Sequence, residues 1–170
     1  ARLLGRSPGP AEIRRLVLEG APDRWSAETE LLLFTAARRD HLERVIEPAL
    51  AAGKVVICDR FADSTRMYQG LSRGDLRKLV DRLHELIIGR EPDLTLLIDM
   101  DPLTGLSRAL SRADGEARFE SFGGDLQVRM REGFLDLARE FPGRFVVIDG
   151  NRPVEKVAEE VHAATAERLS

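Results

Sequence analysis

Short apolar runs rich in β-branched residues alternate along the chain with longer helical patterns, and this alternation constrains the fold most. Val55-Val56-Ile57-Cys58 is fully apolar, and two later runs cover 94–98 and 145–148. Apolar runs of this length are typical of strands buried on both faces of a parallel sheet. Helical patterns between such strands predict an α/β fold, with a largely parallel sheet flanked by helices.

The helical patterns carry recognisable start and stop signals. Ser26 is a candidate N-cap and Gly53 a candidate residue just beyond the C-cap, which predicts one long helix over 26–52. Asp75 and the Asp101-Pro102 pair are candidate starts of two further helices. The predicted helices are 11–18, 26–52, 76–89, 102–111, 124–140 and the segment from Pro153 onward.

Composition excludes several classes of protein. A length of 170 residues favours a single domain, and 43% hydrophobic with 32% charged residues argues against disorder. The net charge of -3 argues against a basic nucleic-acid binder. Cys58 is the single cysteine, so a disulfide framework is excluded and a reducing cytoplasm is expected. No apolar run approaches the roughly 20 residues of a membrane span, and we expect no membrane partner.

The segment after the first apolar run carries a charged pair. Asp59 and Arg60 directly follow it. Ligands of open α/β sheets bind beyond the carboxyl ends of the strands. Arginine binds phosphate with paired, permanently charged donors, and aspartate can organise Mg²⁺ directly or through water. The pair therefore predicts a phosphate and metal site, with a surface ion pair as the alternative.

A second candidate lies in the long helix, where Phe34 and Arg38 are four residues apart and share one face. The aromatic ring can stack on a base, and the arginine can donate to a base carbonyl. The alternative is that Phe34 is simple core and Arg38 is solvated. A third candidate is an arginine-rich stretch around Asp114-Gly115, which could close over phosphates or could belong to a solvated helix. Its members are Arg108, Arg112, Arg118, Arg129 and Arg131.

Several motifs together resemble the thymidylate kinase family of P-loop nucleoside-monophosphate kinases. Residues 59–70, DRFADSTRMYQG, resemble the family signature D-R-[FYH]-x-x-S-[TN]-x-x-Y-[QS]. Residues 32–38, LLFTAAR, resemble the thymine-binding helix, and residues 92–99, PDLTLLID, resemble a strand of the family. Residues 118–120 and 129–134 resemble the end of the lid and the following helix. The resemblance covers nearly everything from Ala11 onward.

The resemblance implies transfer of the γ-phosphoryl group of ATP to dTMP, giving dTDP and ADP, in dTTP synthesis. It implies ATP and Mg²⁺ as cofactors. Arg60 would hold phosphate near the junction of donor and acceptor, and Asp59 would help to place the magnesium shell. Such chemistry depends on alignment and charge neutralisation more than on covalent steps.

The resemblance also implies a site for the nucleoside. Phe34 would stack on thymine, and Arg38 would hydrogen-bond the edge of the ring. Ser64 and Thr65 would line the base pocket.

The sugar site and the lid complete the implied set. Tyr68 would pack near the sugar, where a 2′-hydroxyl is disfavoured, and Gln69 is a second candidate there. The lid would cover about 111–120. Either Arg112 or Arg118 would be its catalytic arginine.

The sequence departs from the family at its start, since neither the P-loop G-x-x-x-x-G-K-[ST] nor the R-E-P-G-G element occurs in the 170 residues. Residues 1–6 resemble the helix after the P-loop, and residues 7–16 resemble a segment well beyond it. We therefore expect the P-loop strand to lie before Ala1 and a further segment to be missing near Arg6-Ser7.

Two other functions remain open from the sequence. A deoxynucleoside kinase shares the fold but phosphorylates a 5′-hydroxyl, and Asp59-Arg60-Phe61 argues against its usual motif. A nucleotide-binding protein without catalysis would explain the absent P-loop. The partners expected are the nucleotides dTMP and ATP, and a second copy of the chain in a homodimer formed through helices.

Overall fold

A computed structural model describes residues 12–13, 15–17, 24–70, 75–111 and 124–169. The chain divides into two compact units, residues 1–91 and 92–170. Each unit is described below by itself, and the single domain expected from the length stays a prediction.

The described part of the first unit is helical. Residues 12–13 and 15–17 are helical. The later helices are α1 (Ala27–His41), α2 (Glu47–Ala51), α3 (Ala62–Tyr68) and α4 (Arg77–Leu83). Ser26 caps α1 by accepting a hydrogen bond from the Thr29 amide, as the sequence predicts. Gly53 has a φ of +72°, the left-handed conformation expected just beyond a helix end.

Two π-helical turns extend these helices. Leu42–Ile46 joins α1 to α2, and His84–Ile88 continues α4. The first turn ends two residues before Pro48, whose ring would collide with the carbonyl of Arg44 in a regular helix. The sequence therefore predicts both long helical stretches, but not the wider turns inside them.

The first unit has two small apolar clusters. Leu42, Ile46 and Ile88 are buried together, with Phe61 packed against them. Ala37 is buried in the other cluster, whose half-buried members are Ile13, Phe34, Cys58 and Phe61. Phe61 contacts both clusters, so the turn after Arg60 is anchored to the helices.

The prediction of a fully buried strand over 55–58 is wrong for the described residues. Residues 54–58 form no strand, and the exposed fractions of Val55 and Ile57 are 63% and 76%. No described strand pairs with this segment. An apolar run becomes buried only when neighbouring strands and helices cover both of its faces.

Asp75 is also not the cap that the sequence suggests. Leu76 occupies the N-cap position of α4, and no side chain caps that end by a hydrogen bond. The C-terminal end of this helical stretch agrees with the sequence prediction, because Gly89 follows it with a φ of +62°.

The described residues of the second unit form a parallel sheet and three helices. Strands β1 (Thr95–Asp99) and β2 (Phe145–Asp149) pair in parallel, with Thr95 opposite Phe145 and Asp99 opposite Asp149. The helices are α5 (Pro102–Ser111), α6 (Gly124–Glu140) and α7 (Val154–Leu169). Helix α6 contacts both strands and α7 contacts β2, so helices cover the sheet as an α/β fold requires.

The start of α5 follows the sequence prediction. The Thr104 amide donates to Asp101 Oδ1 at 2.9 Å, so Asp101 is the N-cap, and Pro102 is the first helical residue. The core of this unit contains Met130 and Leu137 of α6 and Ile148 of β2.

Two expectations from the sequence lie outside the described residues. They are the segment missing near Arg6-Ser7, with the P-loop strand before it, and the lid residues Arg112 and Arg118. In the part of the chain that is described, no helix is long and apolar enough to cross a membrane.

Candidate active site

Helix α1, the turn at Phe61 and helix α3 bring Arg38 and Thr65 together in the first unit. Arg38 Nη2 donates to Thr65 Oγ1 and, at 3.4 Å, to the Phe61 carbonyl. The Arg38 guanidinium carbon lies 5.4 Å from the centroid of the Phe61 ring. Arg38, the Phe61 carbonyl and Thr65 thus form one polar cluster, although Arg38 and Thr65 are 27 positions apart in the sequence.

Arg38 is almost completely buried, with 2% of its surface exposed. Burial, and after it the nearby charge of Arg66, lowers the pKa of Arg38 to about 10. Among the described residues, its Nε atom has no hydrogen-bond partner. Buried donors are normally paired, so this atom is a candidate donor to a bound molecule.

Phe34 lies one turn before Arg38 and is half-buried. It packs against Ala37, in the cluster that also contains Cys58 and Phe61. Its ring is therefore in part a core group, as the alternative reading of the sequence proposes, and in part accessible to a ligand.

Asp59 and Arg60 are both exposed. Arg60 has a φ of +64°, a left-handed conformation that costs a non-glycine residue about 1–3 kcal/mol. Its guanidinium carbon lies 5.2 Å from the centroid of the ring of Tyr68, the last residue of α3. The structure thus brings the Arg60 guanidinium to the Tyr68 ring. Asp59 directly precedes Arg60 in the sequence.

The other two predicted residues of α3 differ in exposure. Ser64 is half-buried. Gln69 is 2% exposed, and its backbone amide donates to the Thr65 carbonyl at 3.1 Å. Gln69 is therefore packed inside the unit, whereas Tyr68 is half-buried.

The sequence analysis missed a charge network on the same helix. Arg66 is 3% exposed and binds three carboxylates. Its nitrogens lie 2.8 Å from Asp63, 2.9 Å from Asp81 and 2.6 Å from Glu91. His84 Nε2 lies 3.0 Å from Glu91. The local signals for it were two helical spacings of opposite charges, Asp63 with Arg66 three apart and Arg77 with Asp81 four apart.

The network shifts the pKa of its members. Burial alone would lower the pKa of Arg66, but hydrogen bonds to Glu91 and Asp81 outweigh this and raise it. Burial alone would raise the pKa of Glu91, but contacts with His84 and Arg66 lower it to about 2. Both groups are therefore held in their charged forms.

We expect this network to make stability depend on acid pH. The pKa of Glu91 falls from 4.5 to about 2 on folding, so its contribution is present above its unfolded pKa and is lost as the pH falls toward 2. Urea unfolding at pH 7, 5 and 3 should show a decreasing free energy of unfolding. Glu91→Gln should show a smaller decrease between pH 5 and 3, whereas the exposed Glu85→Gln should follow the unsubstituted protein.

The carboxylates that follow β1, in the second unit, have other partners. Arg131 binds Asp99 through two hydrogen bonds of 2.6 and 2.7 Å, and this lowers the pKa of Asp99. Asp101 caps α5. Asp99 and Asp101 are thus accounted for by structural contacts, and Arg131 of the arginine-rich stretch is bound to Asp99.

The described residues provide a parallel sheet covered by helices, an exposed Asp59-Arg60 turn and a buried Arg38 whose Nε has no partner among them. They are the features of a nucleoside-monophosphate-kinase-like α/β protein.

Comparison with known proteins identifies the family. The family model for thymidylate kinase matches residues 6–161. The thymidylate kinase of Ruegeria pomeroyi is 78% identical over 92% of this chain and 74% of its own length. That of Dinoroseobacter shibae is 69% identical over 94% of this chain and 77% of its own. The crystal structure of thymidylate kinase from Ehrlichia chaffeensis matches 97% of this chain and 78% of its own, with 34% identity and a TM-score of 0.73.

The chain belongs to the thymidylate kinase family. Its fold is the α/β fold of nucleoside-monophosphate kinases, as the sequence predicted.

Proposed function

We propose that the protein transfers the γ-phosphoryl group of ATP to dTMP, giving dTDP and ADP. The observation that carries the proposal, beside family membership, is the buried Arg38 near Phe34, since its Nε has no hydrogen-bond partner in the part of the chain that the structure describes. An aromatic ring and a cationic donor on one helical face suit a flat base with carbonyl oxygens at its edge.

Family membership disfavours the two alternatives. Relatives named thymidylate kinase are 58–78% identical over most of the chain. A deoxynucleoside kinase or a protein without catalysis would need residues that depart from this family at the site.

Base recognition is proposed to come from α1 and α3. Phe34 stacks on the thymine ring, and Arg38 donates to its edge. Thr65 accepts from Arg38 and so holds the guanidinium in place, while Ser64 lines the same side. Tyr68 packs near the sugar, and Gln69, being buried, supports that end of α3.

The phosphates are proposed to lie at the turn after residue 58. Arg60 neutralises charge near the junction of donor and acceptor, which is the main demand of phosphoryl transfer. We further propose that Arg112 or Arg118 adds a second positive charge from the lid.

Mg²⁺ is proposed to bind at Asp59. Among the described residues, no group of three or more His, Cys, Asp or Glu side chains is placed to hold a metal. Mg²⁺ in kinases is commonly held by one or two carboxylates, waters and the substrate phosphates, so one exposed carboxylate suits it. When bound, the ion would shield the charge of the phosphates; Asp59 would orient its shell.

We also propose a cytoplasmic homodimer. The single cysteine, Cys58, is free and suits a reducing compartment. Large exposed apolar side chains such as Leu32 and Leu86 suit a helical interface. Light scattering during size-exclusion chromatography would show a monomer if the dimer is wrong.

The reaction is tested by dTMP-dependent release of ADP from ATP by the purified gene product. Thymidine is the control substrate. ADP release with dTMP and not with thymidine supports the proposal. Release with thymidine would indicate a deoxynucleoside kinase, and dTMP binding without ADP release would indicate a protein without catalysis.

Arg38→Ala should weaken dTMP binding by about 1–3 kcal/mol, because a charged hydrogen bond to the base is lost. Isothermal titration calorimetry with dTMP measures the change. The matched control is Arg39→Ala, since Arg39 is the neighbouring arginine, is 43% exposed and pairs with Glu43. Equal dTMP affinity in Arg38→Ala and the unsubstituted protein would refute the assignment of Arg38.

A further inference from the structure

Among the described residues, the groups that Arg38 binds are neutral, although the charge of the buried Asp63 carboxylate reaches it. Its hydrogen bonds go to the Thr65 hydroxyl and the Phe61 carbonyl. Among the described residues, it forms no ion pair with any carboxylate. The charge of Asp63, which lies on α3 two residues before Thr65, nevertheless acts on Arg38.

The guanidinium of Arg66 forms an ion pair with the carboxylate of Asp63. The distance from Arg66 Nη1 to Asp63 Oδ1 is 2.8 Å, and the Asp63 side chain is 9% exposed. Arg66 is itself fixed by Asp81 and Glu91, at 2.9 and 2.6 Å, so its guanidinium cannot easily turn away. Asp63 is thus held by a cation other than Arg38.

This division of partners matters for binding a neutral base. A hydrogen bond from a guanidinium to a carbonyl has one charged partner, whereas a pair of guanidinium and carboxylate has two and adds their Coulomb attraction. A carbonyl oxygen of the substrate therefore competes poorly with a buried carboxylate for the same guanidinium. If Asp63 paired with Arg38, substrate binding would first have to break that ion pair.

We propose that Arg66 is a positioning residue that sequesters the carboxylate of Asp63, so that the donors of Arg38 stay available for the base of the substrate. The proposal rests on the proposed function, because it takes Arg38 as the residue that reads the base. It assigns Arg66 no contact with the substrate.

The test compares four proteins: unsubstituted, Asp63→Asn, Arg66→Met, and the double variant. Arg66→Met should raise the Kd for dTMP about tenfold, because Asp63 turns to Arg38. Asp63→Asn should stay within about twofold of the unsubstituted protein. The double variant should regain most of the lost affinity, since no carboxylate is left to compete. The KM for dTMP should follow the same order, with kcat and the KM for ATP little changed.

Rescue separates this role from a purely structural one. If Arg66 only supports the fold, the double variant has lost two members of the network and binds dTMP no better than Arg66→Met. That result, or a fall in kcat with an unchanged KM for dTMP, overturns the proposal. Circular dichroism checks the fold of each variant. If Arg66→Met does not fold, the neutral and polar substitution Arg66→Gln, with and without Asp63→Asn, gives the same comparison, with the same rescue expected and its absence equally decisive.

The controls distinguish failure of this proposal from failure of the proposed function. Absence of dTMP binding by the unsubstituted protein, or normal binding by Arg38→Ala, refutes the proposed function. Normal dTMP binding that depends on Arg38, but without rescue by Asp63→Asn, refutes only the role of Arg66.

Discussion

Arg60→Ala is expected to lower kcat about 100- to 1000-fold, the usual range for removing one group that stabilises charge in a transition state. Arg60 is exposed, so its removal opens no cavity. Alanine would carry the same cost of the left-handed backbone, with a φ of +64°, so the free energy of unfolding should change little. Steady-state assays of ADP release and urea unfolding measure the two quantities.

The matched control for Arg60→Ala is Arg24→Ala. Arg24 is also an exposed arginine over an aromatic ring, with its guanidinium carbon 4.8 Å from the Trp25 ring centroid, and it is not a predicted site residue. It should keep kcat. Loss of folding in Arg60→Ala, with normal specific activity in the protein that remains soluble, would instead support a structural ion pair at Asp59-Arg60.

Local features of the fold could be predicted from the sequence, because they depend on neighbouring residues. The caps Ser26 and Asp101 and the left-handed Gly53 satisfy backbone groups within a few positions. Whether the apolar run 55–58 is buried could not be predicted in this way. Its burial depends on strands and helices from elsewhere in the chain, and in the described residues Val55 and Ile57 are exposed.

In the candidate site, too, the features set by nearby residues could be predicted from the sequence, and those set by packing could not. The four-residue spacing of Phe34 and Arg38 is local, and it places both on one helical face. That Arg38 donates to Thr65, and that its Nε stays unpartnered among the described residues, depends on how α1 and α3 pack. Residues 66, 81 and 91 meet only in the folded chain, so no motif shows their network.

Arg66→Met is expected to lower the free energy of unfolding by up to about 3–5 kcal/mol, the cost of removing one partner of a buried ion pair, and the new pairing of Asp63 with Arg38 should offset only part of this cost. Asp63 determines this cost, because its side chain is 9% exposed and water cannot replace the lost cation. The side chains of Asp81 and Glu91 are 39% and 38% exposed, so they can be hydrated instead. Urea unfolding at pH 7 measures the change.

Arg77→Met is the matched control, because Arg77 binds the same network through Asp81 at 2.6 Å but is itself 28% exposed. A pair of this kind contributes about 0–1 kcal/mol, so this variant should unfold almost as the unsubstituted protein does. Adding Asp63→Asn to Arg66→Met should restore part of the stability, since the uncompensated charge is removed. Equal losses in Arg66→Met and Arg77→Met would mean that burial of Asp63 does not set the cost, and that the three carboxylates share Arg66 as an ordinary surface cluster would.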